Sequence, residues 1–316
     1  MLRLIARRLL LAVGIVWVVA TIVFLATQAL PGDAARAILG KQAATDALQA
    51  LQKQLGTDKP MLQQYFSWLG HLLHGNLGQS LANGVPVWDY ILPLIKNSMT
   101  LMLISAVVST IVAIVLGVWT AARRDTWLDH VVTIVTLVVA AVPEFVVGIA
   151  LVWWFAVGAF HVFPAVFSSD PGEPVWRHPI ELLLPCATLV VAVAPYLTRM
   201  LRATMLEALE TEYVQHARLK GLPERTVLLR HALPNALGPV IQVLALQFAW
   251  LAGGVIIVEY LFAFPGIGSA VVAAVRARDI PVAQALAVFL ALFYVIVNLL
   301  ADILTLILNP RVRTAQ

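Results

Sequence analysis

The sequence contains one cysteine, Cys186, among 316 residues, so no disulfide can form within the chain. A lone thiol in an apolar segment behaves as a small hydrophobic side chain, which predicts a packing role for Cys186. Cysteines and histidines do not cluster at metal-ligand spacing, so no metal site is predicted. His71 and His74 lie three residues apart in a predicted helix, and surface histidines are favoured there over a metal-sensing pair.

Motifs for nucleotide chemistry are also missing. Gly40-Lys41 is followed by Gln42 and lacks the upstream glycine, so the sequence contains no loop that could cradle phosphates. No nucleophile stands beside a base in a recognisable catalytic pattern. The sequence therefore predicts that the chain is not an enzyme and holds no cofactor of its own.

Charge is scarce, at 12% of residues against roughly a quarter in an ordinary soluble domain. Hydrophobic residues make up 61%, and the mean hydropathy of +0.89 is typical of an integral membrane protein. The pI is about 9.4, but the basic residues cluster beside apolar segments, as expected next to a bilayer. The predicted environment is therefore a lipid bilayer, and nucleic acid is not an expected partner.

Apolar segments long enough to cross a bilayer need about 20 residues. Six qualify and predict an all-α polytopic membrane protein with six transmembrane helices: 9–30, 97–121, 131–160, 181–200, 236–262 and 282–308. The first follows several arginines but is too long for a typical signal peptide. The predicted organisation is an N-terminal end with the first span (1–30), a long loop (31–95) and a five-helix core (96–316), which contains a polar loop (203–235).

Lysine and arginine set the orientation of such a chain. Placing the N-terminus in the cytoplasm puts most of them on the cytoplasmic side, together with the polar loop and the C-terminus. The loop 31–95 then lies outside the cell membrane. Helical spacing of apolar residues predicts amphipathic helices at 43–55 and 61–74. They are interpreted either as a platform for an external partner or as a cap packed on the ends of the spans.

The polar, mostly basic run 212–235 lies between two apolar spans. It is predicted to form two helical pieces, at 211–222 and 224–232. Gly221 near the end of the first piece and Pro223 after it turn the chain, and Pro234 ends the second piece. Helices presented on the cytoplasmic face of a membrane protein predict docking of a soluble partner. The alternative is an ordinary connecting loop whose glycine and prolines merely turn the chain.

This run resembles the EAA loop of ABC-importer permeases, with Gln215-His216-Ala217 in the place of EAA and Leu233-Pro234 at its end. The glutamate and isoleucine of that pattern are absent, whereas Ala217, Gly221, Leu233 and Pro234 match. Further stretches resemble the B-type permease of dipeptide, oligopeptide and nickel importers, in the same order along the chain: 55–80, 117–130, 259–284 and 298–313.

The resemblance implies a type I ABC-importer permease fold in the bacterial inner membrane. It implies a second homologous permease subunit, two cytoplasmic ATPase subunits that bind ATP and magnesium, and an extracytoplasmic substrate-binding protein. Peptides are the expected substrate, with nickel or glutathione as alternatives. The residues expected to couple to the ATPase are Tyr213, Gln215, His216, Ala217, Gly221, Leu222, Leu233 and Pro234.

Few charged residues fall inside the predicted spans. Glu144 should face a cavity or a partner, and contact with the translocation path is weighed against a satisfied structural role. For Asp302 an interhelical hydrogen bond or a charge pair near Arg311 and Arg313 is expected. Gly253-Gly254 would permit close approach of another helix. A self-contained secondary transporter is the competing class, although the sequence shows no convincing internal repeat.

Overall fold

The computed structural model describes residues 2–29, 44–46, 49, 53, 58–158, 160–168 and 173–308. Regular structure in these ranges is helical: α1 (Leu2–Ala29), α2 (Met61–Leu73), α3 (Val87–Ala122), α4 (Trp127–Ala141), α5 (Glu144–Val152), α6 (Pro179–Leu209), α7 (Glu212–Leu219), α8 (Glu224–Thr226), α9 (Leu233–Leu261), α10 (Ile267–Ala277) and α11 (Ile280–Leu308). Short π-helical turns cover Trp153–Val157 and Val227–Ala232, and a 3₁₀ turn covers Val175–Arg177.

Five continuous helical stretches are long and apolar enough to cross a membrane, and one of them joins α8, the second π-helical turn and α9. They are Arg7–Ala29, Val87–Ala122, Pro179–Leu209, Glu224–Leu261 and Ile280–Ile303. The bent pair Trp127–Ala141 and Glu144–Val157 meets the same criterion when its two helices are taken together, and counting the pair as one span gives the six predicted spans. The helix α2 occupies most of the predicted range 61–74, whereas most of the predicted helix 43–55 lies outside the described residues.

The third span is broken rather than continuous as predicted, because α4 and α5 meet at an angle of 101°. Pro143 has no N–H to continue the helical hydrogen bonds. The residue before it, Val142, is extended with φ −86° and ψ 128°, as a following proline favours. The bend places Glu144 at the first turn of α5.

The centre of the bundle is α6, which packs most extensively against α3 and α9. Half of its apolar span is buried within the protein, against 11% for the α1 span. α3 and α6 lie close together at Gly117, where a Cβ would lie 3.0 Å from the Leu201 side chain. At Gly253 a Cβ would meet no atom within 4 Å, whereas at Gly254 it would lie 3.8 Å from Oε1 of Glu144. A hinge or a packing interface with a second permease subunit at this glycine pair stays a prediction.

The peripheral helix α1 is joined to its neighbours near both ends. Arg8 forms an ion pair with Asp302 of α11, which confirms the expected charge pair although its partner lies on the first helix. Arg311 and Arg313 lie outside the described residues. Toward the other end, the Thr21 and Tyr65 hydroxyls are hydrogen-bonded at 2.8 Å, and Phe24 packs edge-on against the Tyr65 ring. These contacts hold α2 against α1.

Candidate functional site

The polar loop between α6 and α9 folds as a compact helical hairpin. The helix α7 covers Glu212–Leu219, within the predicted range 211–222. Two residues after its end lies Gly221, which has a φ of +76° and donates its N–H to the Arg218 carbonyl at 2.9 Å. A Cβ at Gly221 would meet nothing within 4 Å, so the need for glycine comes from the backbone conformation and not from crowding.

Side chains close this hairpin on its exposed surface. Arg218 donates two hydrogen bonds to the Glu224 carboxylate, of 2.6 and 3.2 Å. The Tyr213 hydroxyl donates to the His231 carbonyl at 2.9 Å and also accepts a hydrogen bond from Asn235. Contacts within the chain therefore give the loop a defined shape, and a loop ordered by its own contacts docks at a lower entropic cost.

The residues expected at the coupling site divide into two groups. Ala217 is buried, together with Val214, in a cluster of apolar side chains from α6, the π-turn and α9. The exposed group comprises Tyr213, Gln215, His216, Gly221, Leu222 and Pro234, whereas Leu233 is half-buried. Their coupling role remains a prediction.

The most exposed large apolar side chain of the loop is Leu219, with 82% of its surface accessible. Sequence reasoning missed it, because the family pattern places no residue of interest at this position. A signal was present: Leu219 is an apolar residue between two basic ones, Arg218 and Lys220. An exposed leucine with basic neighbours on a rigid helix suits a protein partner.

Pro234 does not end the second helical piece of the polar loop, contrary to the sequence prediction. The chain remains helical from Glu224 to Leu261 without interruption. The wider π-helical turn Val227–Ala232 comes directly before the proline. A turn of this kind shifts the hydrogen-bond register, so that the proline ring and its missing N–H are accommodated at the start of α9. The polar loop is therefore rigidly continuous with the fifth span.

Glu144 is half-buried at the start of α5. Its Oε1 lies 3.8 Å from the position that a Cβ on Gly254 of α9 would occupy. The carboxylate thus lies beside the fifth span at the bend of the third. Contact with a translocation path stays a prediction for this residue.

A second acidic residue within the spans, Glu259 of α9, is fully buried and was missed. Its Oε1 accepts a hydrogen bond of 2.5 Å from the Ser98 hydroxyl of α3. Its Oε2 accepts the Gly268 N–H, at 2.6 Å, at the start of α10. The signal was available, because a glutamate in the apolar run before Tyr260 is as unusual as Glu144.

Long apolar helices around a shared core, joined by an ordered polar loop, define a polytopic membrane protein. The chain belongs to the family described as binding-protein-dependent transport system inner membrane component, whose model matches residues 113–314. The model for the N-terminal part of such membrane components matches residues 1–103. The chain is therefore a multi-pass membrane protein of an ABC transport system.

Relatives match over almost the whole chain. A putative peptide transport system permease protein of Brucella abortus is 36% identical over 314 residues, covering 98% of both chains. The glutathione transport system permease protein of Escherichia coli is 34% identical over 313 residues, or 99% of each chain. A probable peptide ABC transporter permease protein of Sinorhizobium fredii is 32% identical over 310 residues, or 98% of each. The resemblance to ABC-importer permeases is thereby confirmed.

Proposed function

We propose that this chain is the transmembrane permease subunit of an ATP-driven importer of peptides. It would form half of the translocation path beside a second, homologous permease subunit. Two cytoplasmic ATPase subunits would bind ATP and magnesium, and an extracytoplasmic binding protein would deliver the substrate. In this arrangement the polar loop and both termini lie in the cytoplasm. Full-length relatives named as peptide permeases support the substrate class.

The observation that carries the proposal is the preformed hairpin with its exposed Leu219. The hairpin is continuous with α9 and follows α6 directly, so a force applied to α7 would reach two spans. Three basic residues close to Leu219 in the sequence are exposed, namely Arg218, Lys220 and Arg225, and Arg218 is paired with Glu224. A groove with an apolar floor and an acidic rim on an ATPase subunit fits this surface.

The docking role is tested by exchanging Leu219 for serine in a membrane preparation that also contains the ATPase subunits. Loss of a central apolar anchor costs about 2 kcal/mol or more, which corresponds to roughly a thirtyfold loss of affinity. Leu73 is a matched control, because it is a leucine with 78% of its surface exposed, and it lies on α2, away from the hairpin. Equal ATPase co-purification for Leu219→Ser and Leu73→Ser would exclude the hairpin tip as the docking point.

The substrate is tested in proteoliposomes that contain both permeases and the ATPase subunits, with the binding protein added. Uptake of di-, tri- and oligopeptides is compared with uptake of glutathione and of nickel. Glutathione is the second candidate, because a relative named for it covers 99% of the chain at 34% identity. Uphill uptake by this chain alone would favour a secondary transporter and contradict the proposal.

A further inference from the structure

The connection between the second and third spans is held by a buried ion pair. Arg202 of α6 donates from Nε to Asp129 Oδ1 and from Nη2 to Asp129 Oδ2, both at 2.6 Å. Only 2% of the surface of Asp129 is exposed, and Arg202 is half-buried. A bidentate pair of this kind fixes the relative orientation of its two helices as well as their distance.

The same carboxylate shapes the connection itself. Asp129 Oδ2 accepts the N–H of Asp125 at 3.2 Å, and Asp125 has a φ of +62°. The Thr126 hydroxyl accepts the Asp129 N–H at 3.4 Å and caps the first turn of α4. Any movement of Arg202 relative to α4 would therefore disturb both the ion pair and the start of that helix.

A second contact lies about two turns farther along α6. Arg124 Nη1 is 2.8 Å from Glu210 Oε1, in an exposed pair whose hydrogen bond raises the pKa of Arg124 above its ordinary value. Glu210 lies between the end of α6 and the start of α7. The last two turns of α6, which carry the polar hairpin, are therefore attached to the 123–129 segment at both ends.

We propose that Asp129 and Arg202 are positioning residues that make the third span follow the polar hairpin during transport. When α7 moves, α6 moves with it, and the ion pair makes α4 follow α6. The bend at Pro143, where Glu144 lies, is then displaced as well. The inference rests on the proposed function, because it requires an ATPase subunit that moves α7. It assigns to the segment 123–129 a role in transmission beyond that of a simple connection.

The test compares Arg202→Lys and Asp129→Glu in the complete complex of permease, ATPase and binding-protein subunits. Both variants keep their charge, so the buried partner is not left uncompensated. Lysine lacks the planar fork that makes the two bonds, and the extra methylene of glutamate displaces the carboxylate relative to Arg202. We measure ATPase co-purification, ATP hydrolysis and peptide uptake in proteoliposomes. Arg276→Lys is the matched control, since Arg276 lies on α10, far along the chain from the ion pair, and bonds only the Tyr260 hydroxyl among described residues.

The expected result is a fall of at least threefold in peptide taken up per ATP hydrolysed, with co-purification at the parental level. A ratio equal to that of the parent in both variants would overturn the inference, even if the amount of folded complex fell, because the pair would then be structural only. A parental complex that binds no ATPase subunit or transports no peptide would overturn the proposed function together with this inference.

Discussion

The Ser98 hydroxyl on α3 bridges two other helices: it donates to Glu259 Oε1 of α9 at 2.5 Å and accepts the Ile267 N–H of α10 at 2.8 Å. Glu259 in turn accepts the Gly268 N–H in the first turn of α10. A helix N-terminus offers unpaired N–H groups and a positive dipole end, which offset the cost of burying a carboxylate. Three helices thus meet around one acidic side chain.

Replacing Glu259 should destabilise the protein. In Glu259→Leu the Ser98 hydroxyl and the Gly268 N–H lose their acceptor, at a cost of roughly 1–3 kcal/mol for each buried unsatisfied group. We expect a lower thermal unfolding temperature and less folded protein in detergent, measured by fluorescence-detected size exclusion after heating. Glu207→Gln is the control, because Glu207 is exposed on α6. Equal melting of the two variants would contradict a structural role for the buried carboxylate.

Gly268 should tolerate no side chain. A Cβ there would lie 2.3 Å from the Ile256 Cα. Because this is a backbone atom of α9, no change of side-chain rotamer can relieve the clash. We expect Gly268→Ala to lower the yield of folded protein markedly. Gly253→Ala is the matched control in the fifth span, since a Cβ there meets open space. Similar yields for both variants would mean that α10 can move away from α9 at little cost.

Gly221 should tolerate asparagine better than valine. Its positive φ costs a β-branched residue on the order of 1–3 kcal/mol, whereas asparagine adopts this conformation readily. We expect Gly221→Val to insert normally but to lose ATPase co-purification and substrate uptake, and Gly221→Asn to retain most of both. Glu224→Gln should also be mild, because the ion pair with Arg218 is exposed. Parental behaviour of Gly221→Val would remove the hairpin from the coupling mechanism.

Asp279 should order the backbone of residues 80–86, the segment before α3. It accepts hydrogen bonds from the Ser80 hydroxyl and from the N–H groups of Leu81, at 3.1 Å, and Ala82, at 3.3 Å. Asp279→Ala removes a buried acceptor for all three, so we expect faster hydrogen exchange over residues 80–86 than in the parent. Asp58→Ala is the control, since Asp58 is exposed. Unchanged exchange would show that packing alone orders this segment.

Much of the architecture follows from the sequence, because the physics involved is local along the chain. Long apolar stretches can satisfy their backbone in a bilayer only as helices, which determined the spans and their order. The turn at Gly221 and the helix after Pro223 were also predicted, since glycine and proline act on their own backbone. The absence of a phosphate loop is likewise read from the sequence alone, and the lack of a nucleotide site in this chain stays a prediction.

Contacts between distant residues were decided only by the tertiary structure. Asp129 and Arg202 are 73 positions apart, and Ser98 and Glu259 are 161 apart, so no spacing rule joins them. The bend at Pro143 and the uninterrupted helix at Pro234 show the same limit. Both prolines lack an N–H, but one breaks its helix and the other follows a π-turn that accommodates it. The outcome depends on the backbone around each proline, which the residue itself does not specify.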